Sequence, residues 1–309
     1  MLKFLRNLAA MMMVAVLAYV VCLCLAGDLV PNYLLPNLTY KKENSSHTYT
    51  RLREVEAVSD LDVLFIGASF TYRSFDTRYL DTVGLRSFNL GTSGQTPEQT
   101  EMLLRQHLSR LKPEVVVTTV TPDLLRSDGV GAMIDILPGA QFGWSTWERV
   151  ISMRNWKVCN TAIYSCYRSW MDGPGFEWPP PVEGSSYVAG GYTDNPDARF
   201  TGGVEAPLTD PFLDNQLLAV KRVDSLLRSS GAEVIYLQAP ITQKLLARGE
   251  EREAMEAVYG PLGGYTPAST FDLGLVDTLH FADANHLNSA GAGVFTRAFI
   301  DQFGLLSKR

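Results

Sequence analysis

Positive charge is in short supply in this 309-residue chain: 27 Lys and Arg stand against 33 Asp and Glu, a formal net charge of −6. With a pI near 5.3 it has no basic excess to neutralise a phosphate backbone, so nucleic acid is not an expected partner. Cysteine is scarce too, at four residues. Cys22 and Cys24 fall inside an apolar run, and no paired Cys-x-x-Cys offers a metal shell. Cys159 and Cys166 remain, open either to a disulfide in an oxidising compartment or to packing as free thiols. Only four histidines occur, His47, His107, His280 and His286, so an imidazole base has few candidates. Internal repeats and low-complexity tracts are missing. A content of 46% hydrophobic and 19% charged residues describes a folded protein rather than a disordered one.

What is present begins with a membrane signal. Lys3 and Arg6 precede an uncharged run over residues 8–26, long enough to cross the hydrocarbon core of a bilayer. The flanking positive charge predicts a cytoplasmic amino end and an exported remainder. Residues 1–27 thus read as a cytoplasmic tip and transmembrane signal anchor. A cleavable signal peptide is the rival, although its apolar core is normally shorter. Residues 28–60, with Pro31, Pro36 and a polar Asn44-Ser-Ser stretch, have no sustained period and read as a connector. Asn37-Leu-Thr and Asn44-Ser-Ser fit the glycosylation pattern, which matters only in a eukaryotic secretory setting.

The domain proper spans 61–309. Residues 62–73, Asp-Val-Leu-Phe-Ile-Gly-Ala-Ser-Phe-Thr-Tyr-Arg, open with an apolar run ending at a glycine, the pattern of a buried parallel strand. Ser69 lies just past that strand's carboxyl end, where reacting groups gather in open α/β sheets. It is either a nucleophile or the cap of the next helix. Residues 85–90 and 115–120 are predicted strands, and 97–111 a helix capped by Thr96 with Pro97 in its first turn. Further on, 214–229 is a predicted helix, 233–237 a strand, 250–258 a helix, 270–275 a short last strand and 288–303 the closing helix. Strands alternating with helices at this spacing predict a three-layer α/β/α fold with a mostly parallel sheet. Between about 123 and 211 the alternation breaks into an insert, helical over 147–170 and irregular over 173–203. Its aromatics, among them Trp170, Trp178 and Tyr192, suit either stacking on sugar rings or packing of the insert onto the domain.

Asp283 and His286 lie three residues apart just before the closing helix, a spacing that brings both side chains to one side. A carboxylate there can hold the Nδ1 proton of the imidazole while Nε2 takes a proton from a serine, the logic of acyl transfer. Arg73 is placed either to bind an anionic substrate group near Ser69 or to pair with Asp76 or Asp81. His107, flanked by Arg105, Gln106 and Ser109, reads as part of a solvated face, and His47 suggests nothing. His280, Asp283 and His286 also form His-x-x-Asp-x-x-His, but no further cluster completes a metal shell, so no metal and no cofactor is expected.

Three blocks in this order resemble the SGNH (GDSL-like) hydrolase superfamily, and more narrowly its membrane-anchored extracytoplasmic branch linked to acylation of envelope polysaccharide and teichoic acid. They are Gly67-Ala-Ser69, with Ala68 where the broader superfamily has Asp; Asn89-Leu-Gly-Thr-Ser-Gly94; and Asp283-Ala-Asn-His286-Leu-Asn. The resemblance covers roughly residues 61–304 apart from the insert. It implies a flavodoxin-like sheet and a serine esterase or acyltransferase with Ser69, Asp283 and His286 as triad. The amides of Ser69 and Gly94 would form the oxyanion hole. The asparagine expected after the third strand is missing from Thr119-Val-Thr-Pro-Asp123, which leaves Thr121 as the substitute donor or leaves an inactive glycan-binding or scaffolding relative. The implied partners are an acylated polysaccharide or teichoic-acid-like substrate, the membrane through the first helix, and a membrane-embedded acyl-donor protein.

Overall fold

The computed structural model describes residues 1–173, 175, 177–204, 209–248 and 251–306. Helix α1 (Leu2–Leu29) and helix α2 (Thr48–Glu54) precede the first strand. Then follow β1 (Val63–Ile66), α3 (Ser69–Ser74), α4 (Thr77–Thr82), β2 (Ser87–Asn89), α5 (Pro97–Leu111) and β3 (Val115–Thr119). The insert holds α6 (Pro122–Arg126), α7 (Val130–Ile136), α8 (Trp144–Ser152), α9 (Trp156–Asp172) and a hairpin of β4 (Ser186–Val188) and β5 (Tyr192–Asp194). The chain closes with α10 (Asp214–Ser229), β6 (Glu233–Leu237), α11 (Gln243–Leu246), α12 (Arg252–Tyr259), α13 (Asp277–His280) and α14 (Ser289–Gln302).

The central sheet is parallel throughout, in the order β2-β1-β3-β6. Its central strands β1 and β3 are buried along their whole length, as inner parallel strands are, and the outer β2 and β6 are less covered at Ser87, Glu233 and Val234. Alternate residues serve opposite layers. Leu64, Ile66 and Val116 pack with Met102, Leu103 and Val223, from α5 and α10. Val63, Phe65, Val115 and Val117 pack with Phe75, Phe295 and Phe299, on the side of α3 and α14. The three-layer α/β/α arrangement follows from that alternation. Register matters most for function. Phe65 is level with Asn89, Ile66 with Thr118, and Thr119 with Leu237. The carboxyl ends of all four strands therefore share one rim.

Several expectations need correction. Residues 270–275 are not a strand. A parallel bridge between Leu237 and Thr266 is the trace of a fifth strand; the chain then turns through a 3₁₀ segment, Ala268–Thr270, and buries Phe271. The helical stretch expected over 147–170 breaks at residues 153–155, where Arg154 adopts a φ of 49° and Asn155 caps α9. The region expected to be irregular contains the β4–β5 hairpin; residues 174, 176 and 205–208 of the insert and residue 250 of the expected 250–258 helix lie outside the described residues. The segment read as a connector is in part structural. Thr48, Thr50, Arg51 and Leu52 of α2 are buried. The Arg51 guanidinium donates to the carbonyls of Gly191 and Ser46 and to the Thr193 hydroxyl, and covers the Tyr72 ring at 4.4 Å. His107 is buried rather than solvated, because the helical period sets it on the stripe of Leu103, Leu104 and Leu111. His47 is buried too, its Nε2 donating to the Ser185 carbonyl at 3.3 Å. Cys159 and Cys166 are free; seven residues apart on one helix, about two turns, they are too far apart to bridge.

Candidate active site

The nucleophile turn is built by a glycine. Gly67 has φ = 146°, and a Cβ there would lie 2.3 Å from Thr119 Oγ1 and 2.7 Å from both the Thr119 carbonyl and Thr71 Oγ1. Only glycine lets β1 turn this sharply against β3 and deliver Ser69 to the first turn of α3. Thr71 and Thr119 share a hydroxyl–hydroxyl bond just beneath. Asn89 at the end of β2 is fully buried, donates to the Thr71 carbonyl at 2.8 Å and accepts from the Gly91 amide at 3.3 Å. The Thr92 amide donates to the Gly67 carbonyl at 3.1 Å. The first and second blocks are thus fastened to each other by backbone and amide bonds.

The third block arrives from the far end of the chain. Asp283 Oδ1 accepts the backbone amides of Asn285 (3.0 Å) and His286 (2.9 Å), an Asx turn that sets the spacing of the two side chains. The Ala282 amide donates to the His286 carbonyl at 2.8 Å, and buried Leu287 anchors the loop. Asn288 caps α14 through the Gly291 amide and ties the loop to the carbonyls of Ala198 and Leu279.

Together these elements bring three side chains into line. Ser69 Oγ lies 2.7 Å from His286 Nε2, and His286 Nδ1 lies 2.8 and 2.9 Å from the two oxygens of Asp283. Serine and imidazole are 217 positions apart in sequence. Phe70 stacks on the imidazole, centroids 5.1 Å apart. Burial raises the Asp283 carboxyl, but the His286 hydrogen bond and charge, the Asn285 amide and Arg73 outweigh it, and the group is held below its ordinary value. The carboxylate form is therefore favoured beside the imidazole.

Such a line can perform acyl transfer. As the serine oxygen bonds to an acyl carbonyl carbon, its proton passes to Nε2, and the carboxylate stabilises the resulting imidazolium. The imidazolium then protonates the departing alkoxide as the C–O bond breaks, leaving an ester on Ser69. A water or a sugar hydroxyl would reverse the sequence and free Ser69. The Ser69 amide, in the first turn of α3, has no carbonyl four residues back to bond within the helix and suits the oxyanion. Gly94, exposed and at φ = 60°, presents its backbone to solvent. Ser93 and Gly94 line an open groove of about 480 Å³ with Thr39, Lys41, Asn44 and Asp135.

Other candidates fall differently. Thr121 stands at the N-cap position of the short helix α6 without a side-chain cap bond, and its hydroxyl is buried with no hydrogen-bond partner among the described residues. With Thr118 it lines a small, partly open cavity of about 20 Å³, room for one water, that does not include Ser69. In this arrangement it offers nothing to a substrate on the solvent side. Arg73 pairs with neither Asp76 nor Asp81: Arg78 takes Asp76 at 2.7 Å, and Arg73 Nη1 lies 3.9 Å from Asp283 Oδ2. Tyr192 is fully buried under Arg78 and packs the hairpin onto the core, so it cannot stack on a sugar. Trp178 is exposed beside Tyr187, and Trp170 is exposed on α9. The described residues hold no group of three or more His, Cys, Asp or Glu suited to a metal ion; His280 Nδ1 accepts the Val276 amide at 2.9 Å. Two contributors had no warning in the residue pattern. Phe70 is flagged only by adjacency to Ser69, and the Arg73–Asp283 pairing by nothing local.

No protein-family model and no curated protein matches the chain. Among solved structures, a GDSL-like lipase from Bacteroides thetaiotaomicron superposes with a TM-score of 0.42 at 12% identity, covering 86% of this chain and 100% of that one. An acetylxylan esterase variant from Geobacillus stearothermophilus gives 0.40 at 12% identity, covering 80% and 95%. At scores this low, the weight of any functional reading falls on the residues themselves.

Proposed function

We propose that the chain is a membrane-anchored serine O-acyl esterase or O-acyltransferase of SGNH type, acting outside the cytoplasm on an acylated polysaccharide or teichoic-acid-like polymer of the cell envelope. The single observation that carries the reaction class is the hydrogen-bonded line Ser69–His286–Asp283. The open groove beside Gly94, lined by Thr39, Lys41, Asn44 and Asp135 together with Ala132 and Ile134, has room for a polymeric substrate. Helix α1, long and apolar enough to cross a membrane and carrying Lys3 and Arg6 in its first two turns, favours an anchored domain on the far side. A transferase would pass the acyl group to a sugar hydroxyl, and its donor would be delivered at the membrane by a partner protein.

A second reading, a glycan-binding or scaffolding protein without catalysis, draws on the enclosed Thr121 hydroxyl where an oxyanion donor is expected. A fluorophosphonate serine probe with peptide mapping separates the two. Labelling at Ser69, with turnover of p-nitrophenyl acetate that falls at least about 10⁴-fold in Ser69→Ala, is the expected result. Absence of both in folded protein that binds polysaccharide would establish the second reading.

A further inference from the structure

The catalytic line leaves one charged side chain beside it unexplained. Arg73 lies on α3 four residues after Ser69, so the two project from one face of the helix. Its side chain is 16% exposed, and its Nε is buried without a hydrogen-bond partner. Enclosing a guanidinium with a donor unused works against folding, so stability alone does not account for the residue. Arg51 and Arg78 make the contrast. Arg51 places its donors on two carbonyls and a hydroxyl, and Arg78 is forked onto Asp76 and reaches Asp194. Among the described residues Arg73 has one ion-pair partner, the triad carboxylate of Asp283.

The two oxygens of that carboxylate are used unequally. Oδ1 accepts the backbone amides of Asn285 and His286 as well as His286 Nδ1. Among the described residues, Oδ2 accepts from Nδ1 alone. Oδ2 is also the oxygen that Arg73 Nη1 faces, at 3.9 Å. That is too long for a hydrogen bond but close enough for charge to act. The Asp283 side chain is 49% exposed, so its charge is poorly insulated, and the guanidinium is the fixed cation next to it. Other ionisable groups on the neighbouring elements are committed elsewhere. Asp277 accepts the amides of Gln243 and Lys244, the Lys244 ammonium donates to the Gly202 carbonyl, Arg199 donates to the carbonyls of Pro196 and Ala198, and His280 accepts the Val276 amide. Burial raises the Tyr72 phenol, so it is neutral beside Arg73. Asp283 and His286 are a hydrogen-bonded pair that takes up a proton as a unit, and a cation held against the pair opposes that uptake.

We propose that Arg73 is a positioning residue for the acyl transfer, a fixed second cation on Asp283 Oδ2 that keeps the Asp283–His286 pair in its proton-accepting form toward the acid side. The inference rests on the catalytic line of the proposed function, not on its polymer. The full chain in detergent micelles is labelled with a fluorophosphonate probe across the pH range, alongside Arg73→Met, Arg73→Gln and Arg73→Lys. Met and Gln keep most of the stem without the charge, and Lys sets an ammonium where the guanidinium carbon stood. In both neutral variants the acid limb of the labelling rate is expected to move up by about half a unit to one unit. That shift is a deficit of about three- to tenfold on the acid side, closing to within about twofold on the alkaline plateau. Arg73→Lys should bring the limb most of the way back. An unmoved limb, or a deficit of the same factor at every pH, overturns the inference, while labelling of the unaltered chain at Ser69 leaves the triad standing. Neutral variants that fail to fold make the charge a structural one and overturn it as well. An unaltered chain that does not label at Ser69 overturns both this role and the proposed chemistry.

Discussion

At the carboxyl rim of the sheet, Ser69, Asp283 and His286 are held by a glycine turn, an Asx turn and helix caps. On the flank formed by α2 and the β4–β5 hairpin, Arg51 is held by two carbonyls, a hydroxyl and an aromatic face drawn from three separate parts of the chain. Each segment of the rim is shaped by its own turn or cap before it meets the others, and the geometry is demanding; on the flank one side chain ties distant segments together, and the shape is tolerant. The two regions should therefore fail differently, the rim by losing rate and the flank by losing stability.

The sharpest probe of that contrast after the serine itself is Asp283→Asn. The amide keeps the shape and leaves the Asx turn an acceptor, but cannot stabilise the imidazolium or hold Nδ1–H in the right tautomer. A fall of about 10³–10⁴-fold in kcat is expected with little change in urea midpoint. A large stability loss with near-normal turnover of the folded fraction would erase the distinction between the regions.

Arg51→Met is the converse. The methionine replaces the stem but leaves the carbonyls of Gly191 and Ser46 and the Thr193 hydroxyl buried without their donor, at about 1–3 kcal/mol for each group left unpaired. A loss of about 3–5 kcal/mol in urea unfolding is expected once partial relaxation is allowed for. Turnover per folded molecule should stay within a fewfold, because Arg51 reaches α3 only through the Tyr72 ring.

The same contrast explains what could be read from residues alone. Ser69, the Gly67 turn and the Asp283–His286 pair were legible because each is a short pattern whose meaning is set by its immediate neighbours. Strands β1, β3 and β6 were legible because an apolar run rich in β-branched residues and flanked by turn residues has few other uses, and β2 from its place before the Gly91 turn. The strand expected over 270–275 failed where Phe271 is drawn into the core instead of continuing the ladder begun at Thr266. Arg51, His47 and Tyr192 were illegible because burial of a polar or aromatic side chain depends on partners more than a hundred positions away. The replacement of a block-three asparagine was visible, but not that the Thr121 hydroxyl would be buried without a partner.

The smallest effect lies in acid, and it too should separate flank from rim. Burial, with Arg51 nearby, pushes the His47 imidazole down to about 4, and burial with Arg110 does the same for His107, whose Nδ1 accepts from Arg110 Nη2 at 3.1 Å. Both are neutral in the fold, whereas the unfolded chain takes up their protons near 6.5. Between those two values the unfolded state binds more protons, so stability rises with pH there and is lost as pH falls from about 6.5 to about 4. Each group contributes up to about 1.4 kcal/mol per pH unit within that window. Urea midpoints should be flat above pH 7 and decline through pH 6 and 5. His107→Gln keeps a neutral acceptor for Arg110 but cannot titrate, so it should remove close to half of that decline. Asp283 acts in the same sense but lower, below the ordinary carboxylate range, because its folded carboxyl is depressed. A variant with an unchanged acid slope would mean that His107 is hydrated in solution rather than buried on α5.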